Sequence, residues 1–421
     1  MSALESPPAR AAAAPWTCPF CPLLCDDLSV GADADGLVLA SGTCGRASSG
    51  LARFKAVSAP AAQAFIDGAV SNLDAAVAAA ARMLRASRQP LFGGLGTDVA
   101  GARALYRLAC RTGAICDPAG GAALMHGLSA LQDRGAFTTT LAEVRARADL
   151  IVCVGSLPSE RYPEFFGRCG VGENAAANIV LLQAVSASPA NAAVDGIEHV
   201  RFDGDLFDAV AMLAAGVAGR AARGASSALA GLAARLQASR YAVLVYESAQ
   251  LPAEGALIVE AINRIVSTLN QRTRAAALPI GGGDGASTVN AVFTWLSGLP
   301  LRTRAGPSGL EHEPLRFDAG RLLADRAVDA LLWIASFGTE PAPPLVELPR
   351  ILLGHPGFAT AVQGSGTVFI PVSTPGIGSS GHLFRTDGSV VMPLRAVRDD
   401  GLPTVADVLA RLTQALQGVD A

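Results

Sequence analysis

Pro90-Leu91-Phe92-Gly93-Gly94-Leu95-Gly96 is the stretch that decides the fold class. It carries no charge and no polar alternation, so it predicts a buried strand running into a glycine turn. Asp98 follows as a candidate N-cap for a helix from Asp98 to Thr112. The same alternation continues on both sides. A helix is predicted over Ala69 to Ala86. Further short apolar strands are predicted over Asp149 to Val154, Asn178 to Gln183, Tyr241 to Tyr246, Ala330 to Ala335, Arg350 to Gly354 and Thr367 to Val372. Helical stretches lie between most of them. Unbroken apolar strands alternating with helices imply an α/β class with parallel sheets covered on both faces.

The chain has 421 residues, 51% of them apolar, with a net charge of −3. That length predicts two or three domains, and the apolar fraction excludes disorder over most of it. The near-neutral charge offers no footprint for nucleic acid. Charged residues make up 16%, below the usual ~25%. Either a large surface is hidden in a complex, or the alanine-rich composition alone lowers the figure. No membrane span is expected, because Asp67, Asp74, Arg82, Asp208 and Arg220 interrupt the alanine-rich runs. Residues 1–15 read as a disordered tail without a secretory signal. The expected location is therefore cytoplasmic, where the eight cysteines are thiols or metal ligands and not disulfides.

Four of those cysteines form the strongest local signal. Cys18, Cys21 and Cys25 fall within eight residues, and Cys44 follows a hairpin predicted over Leu28 to Leu39. Four thiolates that close in sequence suit zinc or an iron–sulfur cluster. The alternative is a set of unligated core thiols. Cys110, Cys116, Cys153 and Cys169 show no ligand spacing and read as core thiols.

The segment Cys18-x2-Cys21-x3-Cys25-Asp26-Asp27, the hairpin and Cys44 together resemble the N-terminus of the B subunit of formylmethanofuran dehydrogenase. That protein is one of the molybdopterin and tungstopterin oxidoreductases. The likeness extends through Thr112 to Asp117, His126-Gly127, Leu141 to Asp149, Phe369 to Val372, Gly376 to Gly381 and Phe384 to Gly388. The resemblance implies formate dehydrogenase/DMSO reductase-like domains with a small N-terminal four-cysteine module. It places that module at residues 16–56 and a discontinuous α/β domain at 57–120 plus 306–421. An inserted α/β domain takes 121–305.

The departures from the family pattern are as informative as the matches. A metal-ligating cysteine or selenocysteine precedes the family's His-Gly pair, and here that position is Met125. A neutral thioether is a poor donor to high-valent tungsten or molybdenum, so Met125 reads as a core residue. His126 then reads as a packed, hydrogen-bonded remnant. An arginine that would hold a substrate carboxylate aligns with Ile280, with Arg272, Arg274, Arg302 and Arg304 as nearby candidates under a shifted alignment. A nucleotide-reading Gly-x-Asn-Pro turn is Gly155-Ser156-Leu157-Pro158, and Leu182-Gln183-Ala184-Val185 lacks the acid and arginine expected after the next strand. Glycines Gly93, Gly94, Gly96 and Gly281 to Gly283 could approach a phosphate, or could serve strand turns alone. Glu143, Arg145, Asp284 and His312 read as solvated or locally capped.

Three sites that have lost their chemistry on a retained scaffold imply a chain that is not itself catalytic and binds no molybdopterin or tungstopterin. The resemblance therefore implies the non-redox B subunit of a formyltransferase/hydrolase complex in one-carbon metabolism. Its partners would be the hydrolase, formyltransferase and C subunits. Such a complex would convert formyl-tetrahydromethanopterin to formate through a methanofuran-like carrier. Cys18, Cys21, Cys25 and Cys44 would hold a [4Fe–4S] cluster or zinc, or stay as thiols. The alternative is a tungsten- or molybdenum-dependent catalytic chain of a formylmethanofuran or formate dehydrogenase.

Overall fold

The structure, a computed structural model, describes residues 15–54, 63–172, 178–186, 196–220, 224, 226–359, 364–388 and 390–417. The expected tail lies outside these residues except for Pro15, as does the boundary expected at 56–57.

Two sheets organise the described residues. The larger runs in the order Gly309–His312, Thr303–Gly306, Ile115–Cys116, Pro90–Gly96, Ala330–Ala335, Arg350–Gly354, Thr367–Pro371, Ala64–Ile66, Ala69–Ser71. Its centre, from Ile115–Cys116 to Thr367–Pro371, is parallel, and antiparallel strands flank it on both sides. The second sheet is parallel throughout, in the order Arg274–Ile280, Tyr241–Glu247, Leu150–Val154, Asn178–Ala184, Ile197–Phe202. The α/β class with parallel sheets is thus the architecture of the protein.

Pro90–Gly96 is buried along its whole length between strands Ala330–Ala335 and Ile115–Cys116. Its glycines are dictated by packing. A Cβ on Gly93 would lie 2.9 Å from the Trp333 ring, and one on Gly94 would lie 2.6 Å from the Ile334 carbonyl oxygen. Close strand approach accounts for both positions. Asp98 caps the helix Val99–Thr112 by accepting from the Gly101 N–H at 3.0 Å.

The helix expected from Ala69 starts later. Asp67 and Gly68 take positive φ in a turn, Ala69–Ser71 pairs with Ala64–Ile66, and Asn72 caps a helix over Leu73–Ala86. Helix propensity is a weak local preference, and a hairpin overrides it here.

The core has three main parts. One lies between the larger sheet and the helices Leu73–Ala86, Val99–Thr112, Ala286–Ser297 and Val405–Gln417. A second lies between the all-parallel sheet and the helices Leu206–Val217, Ser227–Ala238 and Gly255–Leu269. The third joins the cysteine-bearing segment to the opposite face of that sheet, through Trp16, Phe20, Leu51, Cys153, Val243 and Leu278. Trp16 is buried, and its indole N–H donates to the Gly376 carbonyl at 2.7 Å, tying the start of the cysteine segment to the closing segment. No described helix is long and apolar enough to cross a membrane.

Candidate functional site

The carboxyl ends of parallel strands are where an open α/β sheet leaves room for a ligand. Here the end of strand Arg274–Ile280 faces the loop at 118–120 and the helix Gly121–Arg134 that follows it. Between them is a cleft of about 460 Å³. Ile280 forms part of its wall, and Arg46, Tyr162, Tyr246, Asn263 and Asp284 also line it.

The helix Gly121–Arg134 turns Ala123, Leu124, Gly127, Leu128 and Leu131 to the cleft, one face at helical spacing. Met125 and His126 fall off that face. Met125 is buried and does not line the cleft. The His126 ring packs against Gly255, where a Cβ would come within 2.7 Å of it. It makes no hydrogen bond to a described residue, so the hydrogen bond expected from sequence is not formed. Burial, and after it the Arg302 charge, holds the imidazole below its ordinary pKa. Arg272, Arg274, Arg302 and Arg304 all lie off the cleft wall. Arg302 and Arg304 are engaged elsewhere, with Asp117 and Asp318 and with Glu311 respectively.

The four cysteines of the N-terminal segment are all buried and belong to one apolar cluster. The Cys18 N–H donates to the Cys25 carbonyl at 2.8 Å, closing the loop between them. Burial pushes the Cys18 thiol well up. A backbone hydrogen bond from Phe20 opposes this, and the three neighbouring sulfurs add to it. Burial pushes Cys25 up to about 12. The sulfurs therefore feel one another electrostatically. Yet among the described residues no three His, Cys, Asp or Glu side chains are grouped so as to hold a metal ion. The donor type suits an iron–sulfur cluster or zinc.

The turn Gly155-Ser156-Leu157-Pro158 is closed from inside. Leu157 is buried. Ser156 donates to Glu247 Oε1 at 2.6 Å, and Arg161 grips the same carboxylate with two hydrogen bonds of 2.6 Å. Glu247 sits at the end of strand Tyr241–Glu247 and is 2% exposed. The polar groups at this strand end are engaged in an internal ion pair. Glu247→Gln keeps the shape and removes the charge. Because Arg161 is about a third exposed, the loss should be moderated by solvent to about 2–3 kcal/mol. Urea unfolding at neutral pH checks this, and an unchanged midpoint would remove the ion pair from the account of this strand end.

The closing segment laces the cleft together. The Thr386 hydroxyl donates to the Pro279 carbonyl at 3.1 Å and accepts from the Gly281 N–H at 3.3 Å, while its own N–H donates to the Pro22 carbonyl at 2.9 Å. Arg385 holds the fully buried Asp387 at 2.6 Å, and Asp387 accepts from the Leu141 N–H at 3.2 Å. These contacts pin the cysteine segment to the end of strand Arg274–Ile280.

Sequence reasoning missed Arg46, Glu247 and Asn263, and read Asp284 as solvated or locally capped. Asp284 in fact lines the cleft. Glu143 is locally held, accepting from Thr139 at 3.1 Å. His312 Nδ1 bonds the Arg302 carbonyl at 3.0 Å.

No family profile matches the chain. It is 33% identical to the B subunit of the formyltransferase/hydrolase complex Fhc of Methylorubrum extorquens over 359 residues, which are 84% of this chain and 98% of that protein. The chain belongs to the B-subunit family of formyltransferase/hydrolase complexes. A solved structure of that complex from M. extorquens, FhcABCD with methylofuran, contains a chain that superposes with a TM-score of 0.74 at 33% identity, over the same 84% and 98%. The family is related more distantly to the B subunit of a tungsten-containing formylmethanofuran dehydrogenase 2 from Methanocaldococcus jannaschii. That protein is 25% identical over 415 residues, 91% of this chain and 93% of its own length.

Proposed function

We propose that this chain is the non-redox B subunit of a formyltransferase/hydrolase complex, assembled with the hydrolase, formyltransferase and C subunits. The match to the M. extorquens protein over 98% of that protein's length carries this reading. In such a complex a formyl group passes from tetrahydromethanopterin to a methanofuran-like carrier and leaves as formate, with no change of oxidation state. The B subunit needs no electron chemistry there. The apolar Ile280 in the cleft wall and the internally closed strand end at Glu247 support a scaffold role. Its contribution is to hold the other subunits in place.

The domain reading is the one the family resemblance implies, although helix Ala286–Ser297 and strand Thr303–Gly306 pack with the larger sheet. Residues 121–305 would form an inserted α/β domain around the all-parallel sheet, and 57–120 with 306–421 the discontinuous one, in the manner of formate dehydrogenase and DMSO reductase. The cysteine module at 16–56 would pack against the inserted domain. Cys18, Cys21, Cys25 and Cys44 would be the ligands if a [4Fe–4S] cluster or zinc is bound, in which case the metal is a structural staple.

The test is elemental analysis of the complex purified without oxygen from its native host, with turnover measured alongside. Tungsten and molybdenum should each be far below one per chain, and formyl-tetrahydromethanopterin should yield formate with no electron acceptor. Near-stoichiometric tungsten or molybdenum with acceptor-dependent turnover would restore a dehydrogenase. The same analysis counts iron and zinc at the four cysteines.

A further inference from the structure

The helix layer on the larger sheet carries a charge opposite to that of the whole chain. Helices Leu73–Ala86, Val99–Thr112, Ala286–Ser297 and Val405–Gln417 together hold six arginines and two aspartates, with no lysine or glutamate. The chain as a whole has a net charge of −3. The layer is therefore a basic face on an acidic protein.

Helix Val99–Thr112 concentrates this charge. It packs between Val405–Gln417 and Ala286–Ser297. Ala102, Leu105, Leu108 and Ala109 turn inward, which leaves Arg103, Arg107 and Arg111 in one outward row at a spacing of four. At helical rise the row is about 12 Å long. No acid lies within this helix, and its N-cap Asp98 is spent on the Gly101 N–H. Arg103 and Arg107 are exposed, and neither makes a hydrogen bond or an ion pair with a described residue. Like charges at this spacing destabilise a helix. The two aspartates of the layer are engaged elsewhere. Asp74 pairs with Arg411 at 3.1 Å, and Asp407 accepts from the Thr404 hydroxyl at 2.7 Å.

Two neighbours mark the row as an interface. Trp295, on the adjoining helix Ala286–Ser297, is 65% exposed, with its ring edge-on to Phe384. Exposed arginine and tryptophan are the side chains enriched where proteins meet. Cys110 lies in the same row, and it is the exposed one of the eight cysteines. The face is separate from the cleft at the strand ends, since none of Arg103, Arg107, Cys110 and Trp295 lines it.

We propose that this face docks an acidic surface of a neighbouring subunit, whose carboxylates meet Arg103 and Arg107. Guanidinium groups pair with carboxylates in a two-bonded geometry. Such complementarity sets partner and register, and salt screens it. The row is short, and the net negative charge of the chain repels an extended polyanion at longer range. Both points favour a protein partner over nucleic acid or an anionic membrane. The inference rests on the reading of this chain as one subunit of a larger complex.

The test uses the intact complex from its native host and two readouts. Iodoacetamide, an uncharged thiol reagent, reports whether Cys110 is covered. Its alkylation should be about tenfold or more slower at about 0.05 M salt than at about 1 M, where surface charges are screened. The second readout is zero-length carbodiimide coupling, which joins an amine to a carboxylate in contact with it. Lys55 is the only lysine of the chain, so Arg103→Lys with Arg107→Lys places two new amines on the row and keeps its charge. Peptide mapping should find them joined to Asp or Glu of another subunit. Arg103→Glu with Arg107→Glu should speed Cys110 alkylation at low salt by about tenfold. These side chains are exposed, and an unchanged melting curve of the variant chain confirms its fold. Suppose the complex keeps all its subunits, but Cys110 reacts equally fast at both salt concentrations or the new amines couple to no other subunit. The docking proposal is then overturned and the subunit reading stands. A chain that purifies without other subunits would overturn both.

Discussion

Replacing Arg302 with leucine is expected to cost about 3–5 kcal/mol of stability at neutral pH, the range for removing one partner of a buried ion pair. Arg302 is 4% exposed, and Asp117 is 2% exposed. The guanidinium donates Nε to Asp117 at 3.0 Å, and its other nitrogens reach Asp318 and the Pro314 carbonyl. Asp117 also accepts from the Ala319 N–H at 2.7 Å. Burial raises the Asp117 pKa, and Arg302 pulls it back only in part. Without Arg302, a charged carboxylate stays buried with one hydrogen bond. An acid whose folded pKa is raised binds its proton more tightly when folded. Its contribution is most favourable below the unfolded pKa of about 3.9 and is lost as pH rises through the folded value. Leucine raises the folded value further, so the deficit of the variant should be smaller at pH 5 than at pH 8. Urea unfolding at both pH values checks this, and an equal deficit at the two would mean that Asp117 is not the stranded charge.

The consequence reaches the cleft. Asp117 precedes Pro118, Ala119 and Gly120, which line it, and the Ala119 N–H donates to the Gly94 carbonyl at 3.1 Å. The loop that forms one cleft wall is therefore anchored at one end by the Arg302 ion pair and at the other by the strand Pro90–Gly96.

The central strands were legible because they are buried on both faces, so hydrophobicity alone marks them. Pro90–Gly96, Leu150–Val154 and Ala330–Ala335 are buried throughout. Strand Arg274–Ile280 was not legible. Its Arg-Ala-Ala-Ala-Leu-Pro-Ile sequence favours helix by composition and carries a proline that a central strand excludes. It forms because it lies at the edge of its sheet, where the outer side makes only an isolated bridge at Ala277 and Pro279 leaves no ladder hydrogen bond unmet. The short antiparallel strands at the flanks, such as Thr303–Gly306, depend on neighbours far away in sequence and leave little local pattern.

In the site, Ile280 was legible only through the family resemblance. Asn263 could have been found from the residues themselves. Ile258, Val259, Ile262, Ile265, Val266 and Leu269 define one buried face of its helix, and position 263 falls among them. A polar residue on an apolar face marks either an internal hydrogen bond or a ligand. Glu247 gave a similar signal, a lone carboxylate ending the apolar run Tyr241 to Tyr246. Its partner Arg161 is 86 residues away, a distance no spacing rule bridges.

Acid should loosen the junction between the cysteine-bearing segment and the larger sheet through a single imidazole. His355 follows strand Arg350–Gly354 and is 6% exposed. Its Nδ1 accepts from the Gly357 N–H at 3.0 Å, and its ring meets Phe54 edge-on with centroids 5.0 Å apart. Burial, and after it the charges of Arg53 and Arg398, lowers its pKa to about 4. A base whose folded pKa is depressed gains its proton first in the unfolded chain. Its stabilisation is full above the unfolded value of about 6.5 and is lost as pH falls towards the folded value, with little further change below. The fall from about 6.5 to about 4 corresponds to about 3 kcal/mol at ~1.4 kcal/mol per pH unit. His355→Asn keeps an acceptor for Gly357 and removes the titration. The wild-type chain should lose up to about 3 kcal/mol more than this variant between pH 7 and pH 4, as read by urea unfolding. Parallel pH dependences would show that His355 is not the acid-sensitive group. A difference of the expected size would place an acid-sensitive contact where Phe54 carries the cysteine segment onto the sheet.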